Sequence, residues 1–227
     1  MTDLSAWRTE QARDPYFQQA KRENYRARSA YKLLEINHRS KLIRAGDTVV
    51  DLGAAPGSWS QVLAELVGDR GQVVAFDLSE IAPIPGVDIL QGDIRDEKAI
   101  ALIAGVLRQP AAAVVSDVAP STTGQHFVDH ARSIELADAS LAAALRLLRN
   151  GGNFAVKAFR GEDFDAFVKR VRLAFAETRV IIPKATRAES REAFIVGIRR
   201  RPVTVHAVKA EVFAPEQLFD IDDPSIR

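Results

Sequence analysis

The chain of 227 residues carries a net charge of +1 and is 47% hydrophobic and 27% charged, which is ordinary for a globular protein of one domain, or one domain plus a tail. It contains no cysteine, which excludes a disulfide scaffold and a cysteine-ligated zinc site, and we expect no metal. Because no apolar run could span a bilayer and the polar N-terminus is not a secretory signal, we expect a cytoplasmic protein without membrane contact.

Strands and helices alternate along the chain. Residues 1–20 are expected to be loosely ordered, 21–201 to form one domain, and 202–227 to form an acidic appendage. A basic amphipathic helix is predicted over 25–38. Apolar strands are then predicted at 48–52, 72–77, 87–90, 112–117 and 153–158. Helices are predicted at 58–67, 95–107, 128–149, where Gly151-Gly152 ends the helix, and 163–176.

Two final strands, at 179–182 and 193–199, have no full helix between them. We expect them to form an antiparallel pair at the sheet edge. The whole pattern predicts an α/β fold, in which helices cover both faces of a mostly parallel sheet. Ligands of such folds bind beyond the carboxyl ends of the strands, where the strand order reverses.

The turn after the first strand, Asp51-Leu-Gly-Ala-Ala-Pro-Gly-Ser-Trp59, is the most informative cofactor motif. Its glycines, Gly53 among them, let the backbone approach a ligand closely. The turn lacks the glycine spacing of a dinucleotide fingerprint and the Gly-Lys-Ser/Thr of a P-loop, and Pro56 removes one backbone donor that a pyrophosphate would use. A sulfonium cofactor, which is positively charged and has no phosphate, fits these features better.

Carboxylates close or follow the first four strands, as a cationic ligand requires. They are Asp51, Asp77, Asp93 and Asp117. One aspartate after a strand is typical of a turn or a helix cap, but four on successive strands favour a ligand site. Trp59, on the first turn of the next helix, either lines this pocket or packs in the core.

Lys157 ends the apolar fifth strand, where a lysine would face the ligand crevice. Lysine is rarely buried without a partner, so this position favours a functional group over a surface charge. Lys32 and Glu192 are ambiguous when each is taken alone.

Five motifs occur in order: Arg28-Ser-Ala-Tyr-Lys32-Leu, Asp51-Leu-Gly-Ala-Ala-Pro-Gly57, Ser116-Asp117-Val-Ala-Pro120, Val156-Lys157 and Ser190-Arg-Glu192. Together they resemble the FtsJ/RrmJ (RlmE) family of RNA 2′-O-ribose methyltransferases, and in particular its bacterial members that act on large-subunit rRNA. The resemblance covers roughly residues 14–200. The ordered Lys–Asp–Lys–Glu set is specific to this class, whereas the single motifs are shared more widely.

The resemblance implies a Rossmann-like S-adenosylmethionine-dependent methyltransferase fold, with a seven-stranded, mostly parallel sheet and an antiparallel edge strand. It implies S-adenosyl-L-methionine as cofactor, bound by Gly57, Trp59, Asp77, Asp93 and Asp117. It also implies a catalytic tetrad of Lys32, Asp117, Lys157 and Glu192.

Three positions depart from the family pattern. Ser58 replaces a glycine before Trp59, and Ser121 replaces a frequent asparagine. Phe194 stands where the bacterial enzyme often has tyrosine, so any role of that hydroxyl is lost here.

The tetrad residues suit the activation of a ribose 2′-hydroxyl, which is a weak nucleophile that must be held in line with the methyl–sulfur bond. Lys157 is the candidate base or orienting group. To accept the proton it would have to be neutral, which burial and Lys32 favour and the carboxylates of Asp117 and Glu192 oppose. The sequence leaves this balance open.

The resemblance implies that the substrate is a uridine of 23S rRNA, within the large ribosomal subunit. The protein is expected to act as a monomer. Two basic stretches, with eight Lys or Arg against two Glu at 21–44 and seven against two at 179–201, are either solvated surface or a joint phosphate-binding face. RNA contacts are expected from Arg26, Arg28, Arg187 and Arg191. The alternatives are tRNA or an mRNA cap as substrate, a non-catalytic RNA-binding assembly factor, and a small-molecule methyltransferase, which the basic stretches disfavour.

Overall fold

The computed structural model describes residues 14–187 and 189–202, which form one sheet covered by helices on both faces. The helices are α1 (Pro15–Arg22), α2 (Ala30–Ser40), α3 (Ser58–Val67), α4 (Glu97–Val106), α5 (His126–Leu147) and α6 (Phe164–Ala174). The strands are β1 (Thr48–Leu52), β2 (Gln72–Asp77), β3 (Val87–Gln91), β4 (Ala111–Ser116), β5 (Leu148–Phe159), β6 (Phe175–Ile181) and β7 (Glu192–Arg200).

The seven strands lie in the order β3-β2-β1-β4-β5-β7-β6. The first five are mutually parallel, and β7 runs antiparallel to both of its neighbours, β5 and β6. The order reverses between β1 and β4, so the predicted ligand crevice lies beyond the carboxyl ends of these two strands. The predicted α/β fold with a mostly parallel sheet is confirmed.

The two faces of the sheet carry separate hydrophobic clusters. One cluster joins the sheet to α4, α5 and α6, and includes Ile103, Leu141 and Phe167. The other joins it to α2 and α3, and includes Leu33 and Val62. Central strands such as β1 and β4 are buried along their whole length, which is why they read as continuous apolar runs.

The segment before the domain is more ordered than predicted, because α1 occupies residues that were expected to be loose. Asp14 caps this helix, since its Oδ1 accepts hydrogen bonds from the backbone N–H groups of Tyr16 and Phe17 at 2.9 and 3.3 Å. Pro15 occupies a first-turn position, where it loses no helical hydrogen bond. Tyr16 packs on Tyr31 of α2, with 5.6 Å between ring centroids. The prediction for 1–20 is therefore wrong for 15–20, while residues 1–13 lie outside the described residues, as does the predicted appendage from 203 onward.

The helix predicted over 25–38 begins later, at Ala30, and ends at Ser40. Asn24 adopts a left-handed conformation with φ of 61°, and the backbone N–H of Arg26 donates to Gln61 Oε1 at 2.8 Å. These tertiary contacts replace the first helical turn. The helix predicted to end at 149 also stops earlier, at Leu147, and β5 continues through Gly151-Gly152.

No helix within the described ranges is long and apolar enough to cross a membrane. In the same part of the chain, no three His, Cys, Asp or Glu side chains cluster so as to hold a metal ion.

Candidate active site

Aspartates gather where the central parallel strands end. The register places the last residue of β1, Leu52, beside Phe76 of β2 and Ser116 of β4. Each of these two neighbours is followed directly by an aspartate, Asp77 or Asp117. The carboxylates therefore meet at one edge of the sheet, as predicted from their positions after the strands.

The turn between β1 and α3 is fixed against the end of β2. The N–H groups of Gly53 and Ala54 both donate to the Phe76 carbonyl, at 2.8 and 3.2 Å. The N–H of Ala55 donates to Asp77 Oδ2 at 2.9 Å. Asp77 Oδ1 accepts a further bond from the Ser79 N–H at 2.7 Å, so one carboxylate ties together the loops that follow β1 and β2.

The backbone conformation and the neighbouring side chain both favour glycine at position 53. The φ of Gly53 is 70°, and a Cβ there would lie 2.6 Å from Val118 Cβ. We expect Gly53→Ala to lower the free energy of unfolding by about 1–3 kcal/mol more than Gly86→Ala, because of this overpacking. Gly86 is the matched control, since it has φ of 75° and no atom lies within 4 Å of the position that its Cβ would occupy. Urea denaturation measures both variants, and equal losses would show that the contact with Val118 is unimportant.

Asp51 is a fully buried carboxylate within the site. Ser60 Oγ donates to its Oδ2 at 2.6 Å, whereas Oδ1 has no hydrogen-bond partner within the described part of the chain. Burial raises the pKa of Asp51 to about 7, and the negative charges of Asp117 and Asp77 add to the rise, which the bond from Ser60 opposes. Among the described residues, a negative charge on Asp51 is stabilised by Ser60 alone.

Lys157 and Asp117 form the first of two ion pairs beside this edge. Lys157 Nζ donates to the Asp117 carbonyl at 2.6 Å and to Asp117 Oδ1 at 2.9 Å. Only 8% of the Lys157 side chain and 16% of the Asp117 side chain are exposed. Two acceptors on one residue thus fix the direction of a nearly buried ammonium group.

Lys32 and Glu192 form the second pair, which joins α2 to the first residue of β7. Lys32 Nζ lies 2.5 Å from Glu192 Oε1, and both side chains are about nine-tenths buried. Lys32 Nζ also lies 5.9 Å from the ring centroid of Phe194. The aromatic ring that replaces the family's frequent tyrosine thus flanks this amine.

The register of β5 and β7 brings the two pairs together. Lys157 lies opposite Phe194, and Phe159 lies opposite Glu192. Opposed residues share a face of the sheet, as do residues two apart along a strand. Lys157 and Glu192 are therefore diagonal neighbours, at the roughly 7–8 Å between Cα atoms that such a diagonal gives. The four residues predicted as a tetrad converge, although the sequence did not reveal which amine pairs with which acid.

Two other residues predicted to bind the cofactor already have protein partners. Trp59 is 2% exposed, its ring stacks on that of Phe194 with 5.6 Å between centroids, and its indole N–H donates to the Ser29 carbonyl at 2.8 Å. Both carboxylate oxygens of Asp93 accept hydrogen bonds from the Arg95 guanidinium, the shortest at 2.6 Å. Cofactor contacts of Trp59 and Asp93 stay predictions.

The arginines predicted to bind RNA differ in their surroundings. The Arg26 guanidinium donates to three backbone carbonyls, and Arg28 pairs with Asp14 and donates to the Ala185 carbonyl. Arg187 and Arg191 are exposed. A cavity of about 350 Å³ separates α2 from the loop before β7, and it is lined by Arg28, Lys32, Ala185, Arg187, Glu189, Ser190 and Glu192.

Residues 25–200 match the family described as FtsJ-like methyltransferases. The chain belongs to this family. Among its FtsJ-like relatives, the ribosomal RNA large subunit methyltransferase E of Chromobacterium violaceum is 44% identical over 196 residues, which cover 86% of this chain and 96% of the relative. The protein of the same name from Acinetobacter baylyi is 44% identical over 197 residues, which cover 86% of this chain and 91% of the relative.

Solved structures share the FtsJ-like fold. A Plasmodium falciparum protein described as a ribosomal RNA methyltransferase is 25% identical, with a TM-score of 0.71, and the match covers 79% of this chain and 100% of that one. Aeropyrum pernix fibrillarin, solved with natively bound S-adenosyl-L-methionine, is 17% identical, with a TM-score of 0.52 and coverage of 75% and 76%. This second likeness is one of fold.

The cofactor of this FtsJ-like methyltransferase is S-adenosyl-L-methionine, and the strand edge fits it. The buried Asp51 has an unpartnered oxygen and forms no ion pair within the described residues, and burial raises its pKa. A cationic ligand supplies a counterion. Gly53 and Gly57 lie in the turn beside this edge, where a Cβ would lie 2.6 Å from Val118 Cβ or from Ile84 Cδ1, so close packing of the turn accounts for glycine at both positions.

Proposed function

We propose that this protein transfers a methyl group from S-adenosyl-L-methionine to the ribose 2′-hydroxyl of a uridine in large-subunit (23S) ribosomal RNA. The observation that carries the proposal is the convergence of the Lys157–Asp117 and Lys32–Glu192 pairs beside the carboxylate-lined cofactor edge. The RNA substrate is supported by the names of the bacterial relatives, which match most of the chain.

The chain's own residues position the acceptor. When bound, the cofactor would supply an electrophilic methyl group on a positively charged sulfur. Lys157 Nζ acts on the 2′-hydroxyl, either as a neutral amine that accepts its proton or as an ammonium group that orients its oxygen while the proton passes to solvent, and the two acceptors on Asp117 aim that nitrogen. Lys32 and Glu192 line the side of the site that receives the ribose. Precise positioning of the 2′-hydroxyl there contributes several kcal/mol to rate enhancement.

The RNA backbone lies along the cavity between α2 and the loop before β7. Burial lowers the pKa of Arg28 and the positive charge of Arg187 lowers it further, whereas the charges of Glu192 and Glu189 oppose the fall. Arg28, which is paired with Asp14, and the exposed Arg187 line the same cavity, and guanidinium groups bind phosphate well. The exposed Arg191 extends the same basic surface toward the end of β5. The backbone N–H of Arg160, just after β5, donates to the Arg191 carbonyl at 2.9 Å.

We expect the double variant Arg187→Ala, Arg191→Ala to weaken RNA binding and to flatten its salt dependence. Each lost phosphate contact reduces the slope of log K against log salt concentration by about 1. Filter binding from low to high salt measures the slope, with Arg172→Ala as control, because Arg172 is exposed on α6 at the opposite face of the sheet. An unchanged slope in the double variant would remove both arginines from the RNA surface.

The substrate is tested by mass mapping of RNA from a strain that lacks the gene. We expect one 23S uridine to lose its ribose methyl group and to regain it on complementation. Loss of a ribose methyl group from tRNA or an mRNA cap, with 23S rRNA unchanged, would keep the chemistry and overturn the substrate. Normal methylation of all RNA would favour a non-catalytic assembly factor.

The ribosomal context of the reaction belongs to the same proposal, in which the protein acts as a cytoplasmic monomer on the large subunit. Sedimentation of the purified protein measures its oligomeric state. Methylation of isolated 50S subunits compared with naked 23S rRNA identifies the form of the substrate.

A further inference from the structure

The side chain of Arg26 bridges the two loops that flank the cofactor edge. Its Nη1 donates to the Pro56 carbonyl at 2.9 Å and to the Ala82 carbonyl at 2.8 Å, and its Nη2 donates to the Pro83 carbonyl at 2.7 Å. Pro56 lies in the loop after β1, and the other two lie in the loop after β2. One guanidinium therefore holds together segments that the sheet itself does not join.

The backbone around Arg26 is anchored on α3. The Arg26 N–H donates to Gln61 Oε1 at 2.8 Å, and Gln61 Nε2 donates to the Asn24 carbonyl at 2.9 Å. The side chain of Gln61 thus fixes the segment from which the guanidinium projects. Because the backbone is already fixed here, less conformational entropy is lost when the Arg26 side chain forms its hydrogen bonds.

The guanidinium also packs against Gly57, the glycine that precedes α3. A Cβ at Gly57 would lie 2.8 Å from Arg26 Nη1 and 2.6 Å from Ile84 Cδ1. Ile84 belongs to a small buried cluster with Ala54 and Ile81, which joins the same two loops on their apolar side. Arg26 closes their polar side, so the separation of the two loops is set by both contacts.

We propose that Arg26 is a positioning residue for the cofactor site. It holds the loops after β1 and β2 at the separation that binds S-adenosyl-L-methionine, and its guanidinium is committed to this task rather than to RNA phosphates. Lysine cannot replace it, because a single ammonium group lacks the planar fork that reaches three carbonyls in two loops. The inference rests on the cofactor and is independent of which RNA is methylated.

The test measures cofactor-site affinity without RNA or turnover. Isothermal titration with S-adenosylhomocysteine, the demethylated product, compares the full-length protein with Arg26→Ala and Arg26→Lys. We expect both variants to bind about tenfold more weakly or worse, since the loss of one or two charge-assisted hydrogen bonds is of this order. Lys21→Ala is the control, because it removes an exposed positive charge from the same basic stretch, and its affinity is expected to be unchanged.

Steady-state kinetics separate positioning from general damage. We expect the KM for S-adenosyl-L-methionine to rise in Arg26→Lys, while kcat at saturating cofactor and the KM for RNA stay near their wild-type values. Normal S-adenosylhomocysteine affinity with a raised KM for RNA would overturn the proposal and return Arg26 to the RNA surface. If the Arg26 variants do not fold, Gln61→Ala, which removes the anchor, must weaken product binding in the same way, and normal binding in that variant would equally refute the proposal.

Discussion

Replacement of Lys157 with alanine is expected to abolish methyl transfer and to leave cofactor affinity intact. The Lys157 amine is nearly buried and is aimed by both the carbonyl and the carboxylate of Asp117. A positioned group that moves a proton contributes about 10²–10⁴-fold to a rate, and its orienting role adds to that loss. The measurement is single-turnover methylation of RNA, with S-adenosylhomocysteine titration for affinity.

The control for this variant is Lys169→Ala, because Lys169 is exposed on α6. Lys157→Ala also leaves the Asp117 carboxylate without its cation, so its thermal unfolding should be compared with that of Lys157→Met, which keeps most of the side-chain volume. Near-normal turnover in either folded Lys157 variant would remove Lys157 from the chemistry and, with it, the role of the tetrad proposed here.

Replacement of Asp51 with asparagine is expected to make the protein without cofactor more stable at pH 8 and to flatten the pH dependence of its stability. The pKa of Asp51 rises from the usual 3.8 to about 7 in the folded state. Between these values the folded state binds more protons than the unfolded state, so the free energy of unfolding falls as the pH rises through this range. A difference of about 3 pKa units corresponds to about 4 kcal/mol.

The difference between Asp51→Asn and the wild type isolates this carboxylate from all other titrating groups. It should be largest at pH 8 and should be smallest at pH 4, where the aspartate is largely neutral in the folded state and about half neutral in the unfolded state. Denaturant titrations at intervals from pH 4 to pH 8 measure it, with Asp69→Asn, an exposed aspartate before β2, as control. A constant difference across this range would contradict the raised pKa.

The central part of the fold could be predicted from the sequence because its local signals agree. The predictions for 48–52, 58–67 and 72–77 match β1, α3 and β2 at both ends. Gly53, Gly57 and Gly68 adopt positive φ after β1 and at the two ends of α3, so glycines suited to turns separate these elements. The ends of α2 and α5 were missed because tertiary contacts, such as that of Arg26 with Gln61, override local propensity there.

The sequence predicted which residues form the site better than it predicted how those residues are arranged. The motifs identified Lys32, Asp117, Lys157 and Glu192, but their pairing depends on the register of β5 and β7, which a sequence does not encode locally. Asp51 was visible as a strand-end acid, yet its complete burial depends on packing against α3. The hydrogen bonds of Arg26 could not be predicted either, because its partners lie in loops that are distant along the chain.

The placement of β7 has a consequence for biosynthesis. Until residues 192–200 emerge from the ribosome, β5 lacks a hydrogen-bonded neighbour on one side, and β6 has no partner among the described strands. Glu192 arrives with the same strand, so a nascent chain holds Lys32 without its counterion. Insertion of β7 joins β6 to the rest of the described sheet and delivers the fourth member of the tetrad in one folding event, so the active centre cannot mature before the domain does.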